Sequence, residues 1–373
     1  MMENIRIYIH VPFCRSRCQY CDFNTYSDKD YLIDNYFTAM ETEISLWREK
    51  LEGRAVKSVF FGGGTPSHVG ERYIGRILKR FSFGADAEVT IEANPGTVDY
   101  GKLKAYREMG VNRISFGVQS FHNNLLKIMG RAHDRTTAIL SIEEAKRAGF
   151  ENISLDLIIG YPHQTMDMHK ESLDIALELM PKHISCYSLK IEEKTPLWNM
   201  IQNKLLPEPD EELDRRMYHY TLEKLDKNSI FQYEISNFAV KGYESVHNIG
   251  YWVLDEYIGF GAGAHSYLGQ SRFSNKASPG EYIRDLASYQ KPLATTEAIT
   301  EEESMREYVI LGLRLNRGID PDHFLRTYGK SLYDVYGNVI ETSVREGFLA
   351  AGDHSIHLTT RGLDFANRVF VKF

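Results

Sequence analysis

Residues 5–21 of the chain read IRIYIHVPFCRSRCQYC, and this stretch constrains the fold more than any other. Its first half alternates β-branched and aromatic residues, which is typical of a buried strand. Its second half places Cys14, Cys18 and Cys21 in a C-x3-C-x2-C pattern on the loop that follows. Three thiolates this close together can face one point, and converging thiolates bind soft metals. The stretch predicts a strand that ends in a metal-binding loop.

The three cysteines favour an iron–sulfur cluster over zinc. A zinc site completed by His10 or Asp22 is the alternative, but zinc motifs usually add a second, distant pair of ligands, and no such pair is evident. Three thiolates would leave one iron of a [4Fe-4S] cube without a protein ligand, and an open metal position is where chemistry occurs. The fourth cysteine, Cys186, lies in a later strand and fits a small buried hydrophobe.

The composition indicates a globular protein with one large and one smaller domain. The 373 residues are 43% hydrophobic and 25% charged, with a formal net charge of -7, so the chain lacks the basic footprint of a nucleic-acid binder. The N-terminus lacks the features of a signal peptide, and no apolar run approaches the roughly 18 residues that span a bilayer. Clustered cysteines argue against a secreted disulfide framework. These features predict a cytoplasmic protein.

Strand-like and helix-like patterns alternate through the first half of the chain. About six βα units are predicted, which indicates an α/β fold with a parallel sheet. Periodicity alone leaves open whether the sheet is doubly wound or a closed or partial barrel. The strands begin near Ile5, Val56, Ala87, Val111, Asn152 and His183.

Glycine and polar residues stand where these strands end. In either fold the carboxyl ends of parallel strands share one edge of the sheet. These residues therefore predict a single ligand-binding site at that edge. Three glycines let backbone amides approach a polar ligand, and an acidic residue can bind a ribose diol. Each residue alone would more often be a tight turn, a cap or a surface group. The set comprises Gly63, Gly64, Thr65, Glu92, Gln119, Arg131 and Asp156.

The pattern changes after about residue 230. A Gly- and aromatic-rich stretch, HNIGYWVLDEYIGFGAGAHSYLG, predicts a segment that bridges the sheet. Helical patterns follow from about residue 297 and lead into a β-like FLAAGDHSIHL. We therefore expect a core over 1–235, a bridging segment over 236–290 and a small C-terminal domain over 291–373. The last is either winged-helix-like or a plain helical cap.

Several motifs resemble one family in order and spacing over nearly the whole chain. They are the cysteine loop, EANPGT, NRISFGVQSF, GRAHD, LDLIIGYP, HNIGYW and YIGFGAGAHSY. The chain is identified by them as a radical S-adenosylmethionine (SAM) protein of the coproporphyrinogen dehydrogenase-like group. The resemblance implies a [4Fe-4S] cluster, SAM bound to its open iron, a partial (β/α)6 TIM-like barrel and a HemN-type C-terminal domain.

The resemblance also implies roles for the residues at the strand ends. Tyr8, Gly63 and Glu92 match residues at a first SAM molecule of this group. A second SAM molecule is found in the decarboxylating members, and whether this chain binds one is an open question. The residues that match its site are Tyr20, Gly64, Thr65, Gln119, Arg131 and Asp156.

Two features separate a haem chaperone from a dehydrogenase within this group. The decarboxylating dehydrogenases have a fourth cysteine two residues after the third, where this chain has Phe23, and an N-terminal extension. HNIGYW matches the H-N-x-x-Y-W pattern of the HemW branch, the haem chaperones. The resemblance therefore implies a haem chaperone. The alternatives are an oxygen-independent coproporphyrinogen III dehydrogenase and another radical SAM enzyme acting on a porphyrin, such as a methyltransferase that opens haem.

The HNIGYW motif supplies the candidate haem residues His247, Asn248, Tyr251 and Trp252. Histidine is the commonest haem ligand, and aromatic rings pack against the macrocycle. Alternatively, these side chains cap the segment and fill the core. His10, His133 and His265 are further candidates for the iron ligand, although the last two fit loop histidines.

The resemblance also implies partners. They are haem as cargo, a membrane-associated haemoprotein that accepts it, an electron donor such as flavodoxin or ferredoxin, and a second copy in a homodimer. With no predicted membrane span, any contact with the membrane would be peripheral.

Overall fold

Six parallel strands form the centre of the computed structural model, which describes residues 4–352 and 354–373. They lie side by side in chain order, and each follows the predicted strand pattern. The strands are β1 (Asn4–Val11), β2 (Ala55–Gly63), β3 (Phe83–Ala93), β4 (Arg113–Gln119), β5 (Asn152–Ile159) and β6 (His183–Ser188). The predicted α/β fold with a parallel sheet is confirmed. Residues 1–3, and Asp353 of the predicted FLAAGDHSIHL pattern, lie outside the described residues.

Helices connect these strands and cover the outer face of the sheet. None of the helices in the described ranges is long and apolar enough to cross a membrane. The helices of the first part of the chain are α1 (Ile33–Leu46), α2 (Arg48–Leu51), α3 (Glu71–Leu78), α4 (Tyr100–Glu108), α5 (Asn123–Ile128), α6 (Arg135–Arg147), α7 (Met166–Glu178), α8 (Pro196–Gln202) and α9 (Glu211–Asp226).

Alternation along each strand separates the core from the site. In β1, Ile5, Ile7 and Ile9 are fully buried in the hydrophobic core beneath the helices. Tyr8 and His10 point to the opposite face and line a cavity there. Because successive side chains of a strand point to opposite faces, the concave side of the sheet is left for polar and aromatic groups.

Several short strands, most of them in the segment predicted to bridge the sheet, extend the sheet at both of its edges. β9 pairs in parallel with β1, and the antiparallel strands β10, β11 and β12 follow at that edge, while β8 and β7 join β6 at the other. These strands are short and glycine-interrupted, so their alternation was too brief to detect. Their bounds are β7 (Phe231–Glu234), β8 (Asn237–Ala239), β9 (Tyr257–Phe260), β10 (His265–Leu268), β11 (Ser271–Asn275) and β12 (Leu293–Ala298).

The C-terminal part has its own hydrophobic core of helices and a hairpin. Three helices precede a two-stranded antiparallel hairpin at the place where FLAAGDHSIHL predicts one. The winged-helix-like alternative predicts this order of helices and hairpin. The later elements are α10 (Val246–Trp252), α11 (Pro279–Ala287), α12 (Glu301–Gly312), α13 (Pro321–Tyr328), α14 (Leu332–Arg345), β13 (Leu349–Ala351), β14 (Ile356–Leu358), α15 (Thr360–Asp364) and α16 (Ala366–Phe370).

A buried carboxylate, Glu43 of α1, ties the added strands to the first helix. It is fully buried and accepts hydrogen bonds from the Tyr282 hydroxyl (2.5 Å), the Asn275 amide (2.5 Å) and the Gly261 backbone N–H (2.9 Å). Burial raises its pKa to about 7, although the three donors oppose the shift. Four separate segments of the chain therefore meet at one acid.

The raised pKa of Glu43 predicts a pH-dependent stability. Its folded-state pKa lies above the ordinary value near 4.5, so the folded state binds the proton more tightly. The resulting stabilisation is fully present below about pH 4.5 and is lost as pH rises through about 7, by up to about 3 kcal/mol. We expect the melting temperature of the wild type to fall between pH 5.5 and 8 relative to that of Glu43→Gln. Parallel profiles for the two proteins would contradict the prediction.

Candidate functional site

The carboxyl ends of the parallel strands surround one cavity of about 340 Å³. Strand order places the cysteine loop after β1 beside the glycine loop after β2, with the ends of β3 to β5 beyond them. The expectation that residues at successive strand ends share one mouth therefore agrees with the geometry. The residues singled out from the sequence that line this cavity are Cys14, Cys18, Cys21, Tyr20, Gly63, Gly64, Thr65, Glu92, Gln119, Arg131 and Asp156.

Backbone hydrogen bonds hold the cysteine loop in place, and its three thiols form no disulfide among the described residues. Cys14 N–H donates to Tyr26 O at 2.9 Å, and Gln19 N–H donates to Met129 O at 3.0 Å. Burial raises the pKa of the Cys14 thiol to about 11 and also raises that of Cys21. Thiols in such surroundings ionise when a metal compensates the charge. All three cysteines line the cavity and none forms a disulfide among the described residues, which is the donor chemistry that an iron–sulfur cluster uses.

The glycine loop after β2 packs against the chain at the start of the cysteine loop. Gly64 N–H donates to Val11 O at 2.8 Å, and Thr65 N–H donates to Phe13 O at 2.9 Å. A Cβ atom at Gly64 would lie 2.8 Å from Phe13 O, so only glycine permits this approach. The Thr65 hydroxyl lies 3.4 Å from the Cys14 sulfur. The two motifs therefore form one rigid wall of the cavity.

Two carboxyl groups face the cavity with raised pKa values. Burial, with the nearby charge of Asp156, raises the pKa of Glu92 to about 8. Burial also raises the pKa of Asp156, whose oxygens accept a hydrogen bond from the Ser115 hydroxyl at 3.1 Å. Strongly shifted carboxyl groups in a cleft are typical of ligand sites. Hydroxyl or ammonium donors of a ligand such as SAM would stabilise their charged forms.

Arg131 joins the cysteine loop to the strand ends. Its guanidinium donates to the Cys18 sulfur at 3.3 Å, to the Asn94 side-chain oxygen at 2.6 Å and to the Gly117 carbonyl. Its Nε is buried and lacks a hydrogen-bond partner among the described residues. Gln119, at the end of β4, has a φ of 67°, a backbone conformation that is uncommon outside glycine and clusters at functional sites.

A second cavity of about 420 Å³ adjoins the first. The two share Asp22, Phe23, Gly63 and Glu92, so they form neighbouring chambers at one edge of the sheet. Tyr8, predicted at the first SAM molecule, lines the second cavity rather than the first. The other residues of its wall are His10, Asn24, Tyr251, Tyr257, Gly263 and His265.

The HNIGYW motif forms α10, which fills the concave side of the sheet near the amino-terminal ends of the strands. The Glu88 carboxylate accepts hydrogen bonds from the backbone N–H groups of Val246 (3.1 Å) and His247 (3.0 Å) at the start of the helix. Ser245 caps the same end through the N–H of Asn248. These contacts tie α10 to β3.

His247 has no ring nitrogen available to a metal in this conformation. Its Nδ1 hydrogen-bonds the Ser58 hydroxyl at 2.8 Å, and its Nε2 hydrogen-bonds the Tyr251 hydroxyl at 2.9 Å. The ring stacks on Phe60, with centroids 5.0 Å apart. Burial lowers the pKa of His247 to about 3, so the ring is neutral. This geometry agrees with the alternative that the motif caps its segment and fills the core.

The other motif residues divide between the cavity and the C-terminal unit. Tyr251 lines the second cavity. Trp252 lies under the Arg314 guanidinium, 4.4 Å from the ring centroid, and faces the C-terminal unit instead. Asn248 is half-buried on α10 and lines neither cavity. Of the four residues predicted from the motif, only Tyr251 lines one of the two cavities.

Sequence reasoning missed several residues of the site. Phe23 was noted only for replacing a cysteine, yet its side chain is 63% exposed at the lip shared by the cavities. Asn94 of the EANPG motif bonds both Arg131 and Thr65. Glu88 and Ser58 hold α10, and no sequence signal marked them because their partners are more than 150 residues away.

Comparisons with known proteins agree with this arrangement. The Radical SAM superfamily matches residues 8–176, and the HemN C-terminal domain matches residues 299–365. Coproporphyrinogen III oxidase (HemN) from Escherichia coli has the same fold, with a TM-score of 0.87 over 99% of this chain and 90% of that chain at 23% identity. The fold and the cysteine loop are thus those of a radical SAM protein with a HemN-type C-terminal domain.

Sequence relatives give the narrower assignment. The heme chaperone HemW of Bacillus subtilis is 40% identical, covering 98% of this chain and 98% of the relative. The heme chaperone HemW of Lactococcus lactis is 36% identical, covering 98% and 96% respectively. The chain belongs to the HemW family of the radical SAM superfamily.

Proposed function

We propose that the chain is a haem chaperone that holds a [4Fe-4S] cluster and SAM and passes haem to an acceptor haemoprotein. The observation that carries this proposal is the similarity to HemW proteins over almost the full length, from the cysteine loop to the C-terminal hairpin. Phe23 supports it, because the place of a fourth cysteine is taken by an aromatic ring that is exposed beside both cavities.

The residues of the first cavity fit the cluster and SAM. Cys14, Cys18 and Cys21 would supply three thiolate ligands and leave one iron open to SAM. A bound cluster would supply one-electron chemistry to a SAM molecule held beside it by these residues. The chain itself would present Glu92 as an acceptor for a ribose diol. Gln119, Arg131 and Asp156 line the same chamber and complete its polar wall.

The proposed function requires partners. We include a membrane-associated haemoprotein as the acceptor, flavodoxin or ferredoxin as the electron donor and a second copy of the chain as a dimer partner. Because the cysteine loop lies at the edge of the sheet and Arg17 beside it is exposed, an electron donor can approach the cluster directly.

A haem titration tests the function. With the cluster reconstituted anaerobically, we expect about one haem per chain, seen as a saturating Soret band, and no conversion of coproporphyrinogen III to protoporphyrinogen IX in a parallel assay. The two assays separate the chaperone from the dehydrogenase because only the latter turns over the porphyrinogen. Turnover without stable haem binding would overturn the proposal.

Replacing Glu92 tests the SAM site. Glu92→Gln keeps the size of the side chain but loses the charged acceptor, which contributes about 1.5–3 kcal/mol in a hydrogen bond. We expect the dissociation constant of SAM, measured by anaerobic calorimetry, to rise by about 10- to 100-fold while cluster iron is unchanged. Glu71→Gln, at the half-buried start of α3 and absent from both cavities, is the matched control. An unchanged SAM affinity in Glu92→Gln would remove Glu92 from the site.

A further inference from the structure

We propose that Tyr251 contacts SAM in the second cavity, and that His247 is a positioning residue that fixes the Tyr251 hydroxyl. This inference rests on the proposed binding of SAM and adds two residues to its site. It gives the HNIGYW helix a place at the cofactor, in contrast to the haem-ligand role that the sequence pattern implies for His247.

The three residues predicted at the first SAM molecule all line the second cavity. They are Tyr8, Gly63 and Glu92, and the last two also line the first cavity, where the cysteine loop lies. A Cβ atom at Gly62 would lie 3.1 Å from the Tyr8 ring and 3.3 Å from the Glu92 carboxyl carbon, so these two side chains meet above one glycine. A SAM molecule bound by all three residues would extend from the cysteine loop into the second cavity.

Tyr251 lies in the wall of the same cavity. It is half-buried, and its ring packs edge-on against Tyr257 with centroids 4.7 Å apart. Burial raises the pKa of Tyr251, and the charge of Glu92 adds to the shift, so the hydroxyl stays protonated. A phenol hydroxyl can donate one hydrogen bond and accept another. The contact with His247 uses one of these, which leaves the other for a ligand.

Tyr8 and Tyr251 are held in the same way. The Tyr8 hydroxyl lies 3.0 Å from Nδ1 of His10, whose Nε2 lies 3.0 Å from the Asn24 carbonyl oxygen. The Tyr251 hydroxyl lies 2.9 Å from Nε2 of His247, whose Nδ1 is hydrogen-bonded to β2. Burial lowers the pKa of both histidines, so both rings are neutral. The repeat of this arrangement beside a residue predicted to bind SAM supports the same function for Tyr251.

Contacts at both ends of α10 fix the position of Tyr251. At the start of the helix, the Glu88 carboxylate accepts hydrogen bonds from two backbone N–H groups. At its end, the Trp252 ring lies under the Arg314 guanidinium of the C-terminal unit, 4.4 Å from it. The helix is thereby tied to β3 and to the C-terminal unit, and Tyr251 is held between these contacts.

The charge of the second cavity suits SAM rather than haem. Asp22 and Glu92 line it, and no Lys or Arg of the described residues does so. The propionates of haem require cationic partners, whereas the sulfonium and ammonium groups of SAM are attracted to carboxylates. His133, one of the candidate iron ligands, lines neither cavity and lies 3.1 Å from the Val118 carbonyl oxygen. Neither His247 nor His133 therefore marks a haem site.

The experiment measures SAM binding to the reconstituted full chain by anaerobic calorimetry. Tyr251→Phe loses one hydrogen bond, so we expect the dissociation constant of SAM to rise by about 3- to 10-fold. His247→Asn can still reach Ser58 but not Tyr251, and should weaken SAM binding equally. His247→Gln places an amide near the position of Nε2 and should stay within about twofold of the wild type.

A double variant and two controls complete the design. His247→Asn combined with Tyr251→Phe should bind SAM no more weakly than Tyr251→Phe alone, because His247 acts through that hydroxyl. Tyr333→Phe, on the exposed side of α14, should leave the affinity unchanged. Iron content and far-ultraviolet circular dichroism verify the cluster and the fold. A haem titration of His247→Asn should reproduce the wild-type Soret band and affinity.

The outcomes separate this inference from the proposed function. If the wild type binds no SAM, the proposed cofactor site fails and this inference fails with it. If the wild type binds SAM and Tyr251→Phe binds it equally well, the function stands and this inference is overturned. Loss of the haem Soret band in His247→Asn with unchanged SAM affinity would also overturn it, because His247 would then serve haem. Should His247→Asn lose cluster iron, Tyr251→Phe decides alone.

Discussion

Replacing Cys18 by alanine is expected to abolish cluster assembly. Anaerobic reconstitution of Cys18→Ala should give less than about one iron per chain, against about four for the wild type, and no absorbance near 400 nm. The reason is that Cys14 and Cys21 alone cannot hold a cube that the wild type binds through three thiolates. SAM should then bind at least about tenfold more weakly, because its open iron is missing.

Cys186→Ala is the matched control for the cysteine loop. Cys186 is buried in β6, with its sulfur 3.8 Å from the Thr221 hydroxyl, and is absent from both cavities. We expect full iron content and unchanged SAM binding in this variant. Full iron content in Cys18→Ala would refute the assignment of the loop. One zinc per chain in colourless wild-type protein would instead restore the zinc alternative.

Replacing Glu43 by alanine is expected to cause the largest loss of stability outside the cluster. The change leaves the Tyr282 hydroxyl, the Asn275 amide and the Gly261 N–H without their acceptor in a fully buried site. Removal of one member of a buried charged network costs about 3–5 kcal/mol. We expect a melting temperature lower by about 6–20 °C in the reconstituted protein, since 1 kcal/mol corresponds to about 2–4 °C at this size.

The exposed Glu49 of α2 provides the comparison for Glu43. Glu49→Ala removes the same side chain where it faces solvent, so its melting temperature should stay within about 2 °C of the wild type. Similar melting temperatures for the two variants would show that the Glu43 network does not stabilise the fold. Tyr282→Phe removes only one of the three hydrogen-bond donors to Glu43. Its melting temperature should therefore lie between those of Glu43→Ala and Glu49→Ala.

The parallel core could be predicted from the sequence because its signals are local. Each of the six strands lies where a run of β-branched or aromatic residues indicates one, and the polar residues at their ends line one cavity. This follows from a general property of parallel α/β sheets, whose carboxyl ends share an edge. The placement of Glu92, Gln119 and Asp156 therefore needed no knowledge of side-chain contacts.

The tertiary contacts of the HNIGYW segment could not be predicted from the sequence. Its residues match a haem-chaperone pattern. In the structure, however, His247 is hydrogen-bonded to Ser58, Glu88 and Tyr251. Two of these lie on β2 and β3, far away in the chain. A histidine that binds a ligand and one that fills a core look alike in a sequence, since burial and hydrogen bonding decide between them.

His265 illustrates the opposite case. Its position next to glycines fits a loop histidine, yet pairing of β10 with β9 and of β9 with β1 directs it toward Tyr8. Strands of four residues carry too little alternation to reveal such pairing. Only the assembled sheet shows that these residues share a wall.

The sequence by itself determined the six-stranded parallel core, the three-cysteine loop and the family, because strand periodicity, cysteine spacing and motif order are properties of neighbouring residues. The tertiary structure alone decided that α10 fills the concave side of the sheet, that β9 to β12 extend its edge, and that both ring nitrogens of His247 are hydrogen-bonded. These features depend on contacts between segments up to about 250 residues apart, such as the pairing of Arg6 with Tyr257, and the free energy of such contacts exists only once the chain has folded.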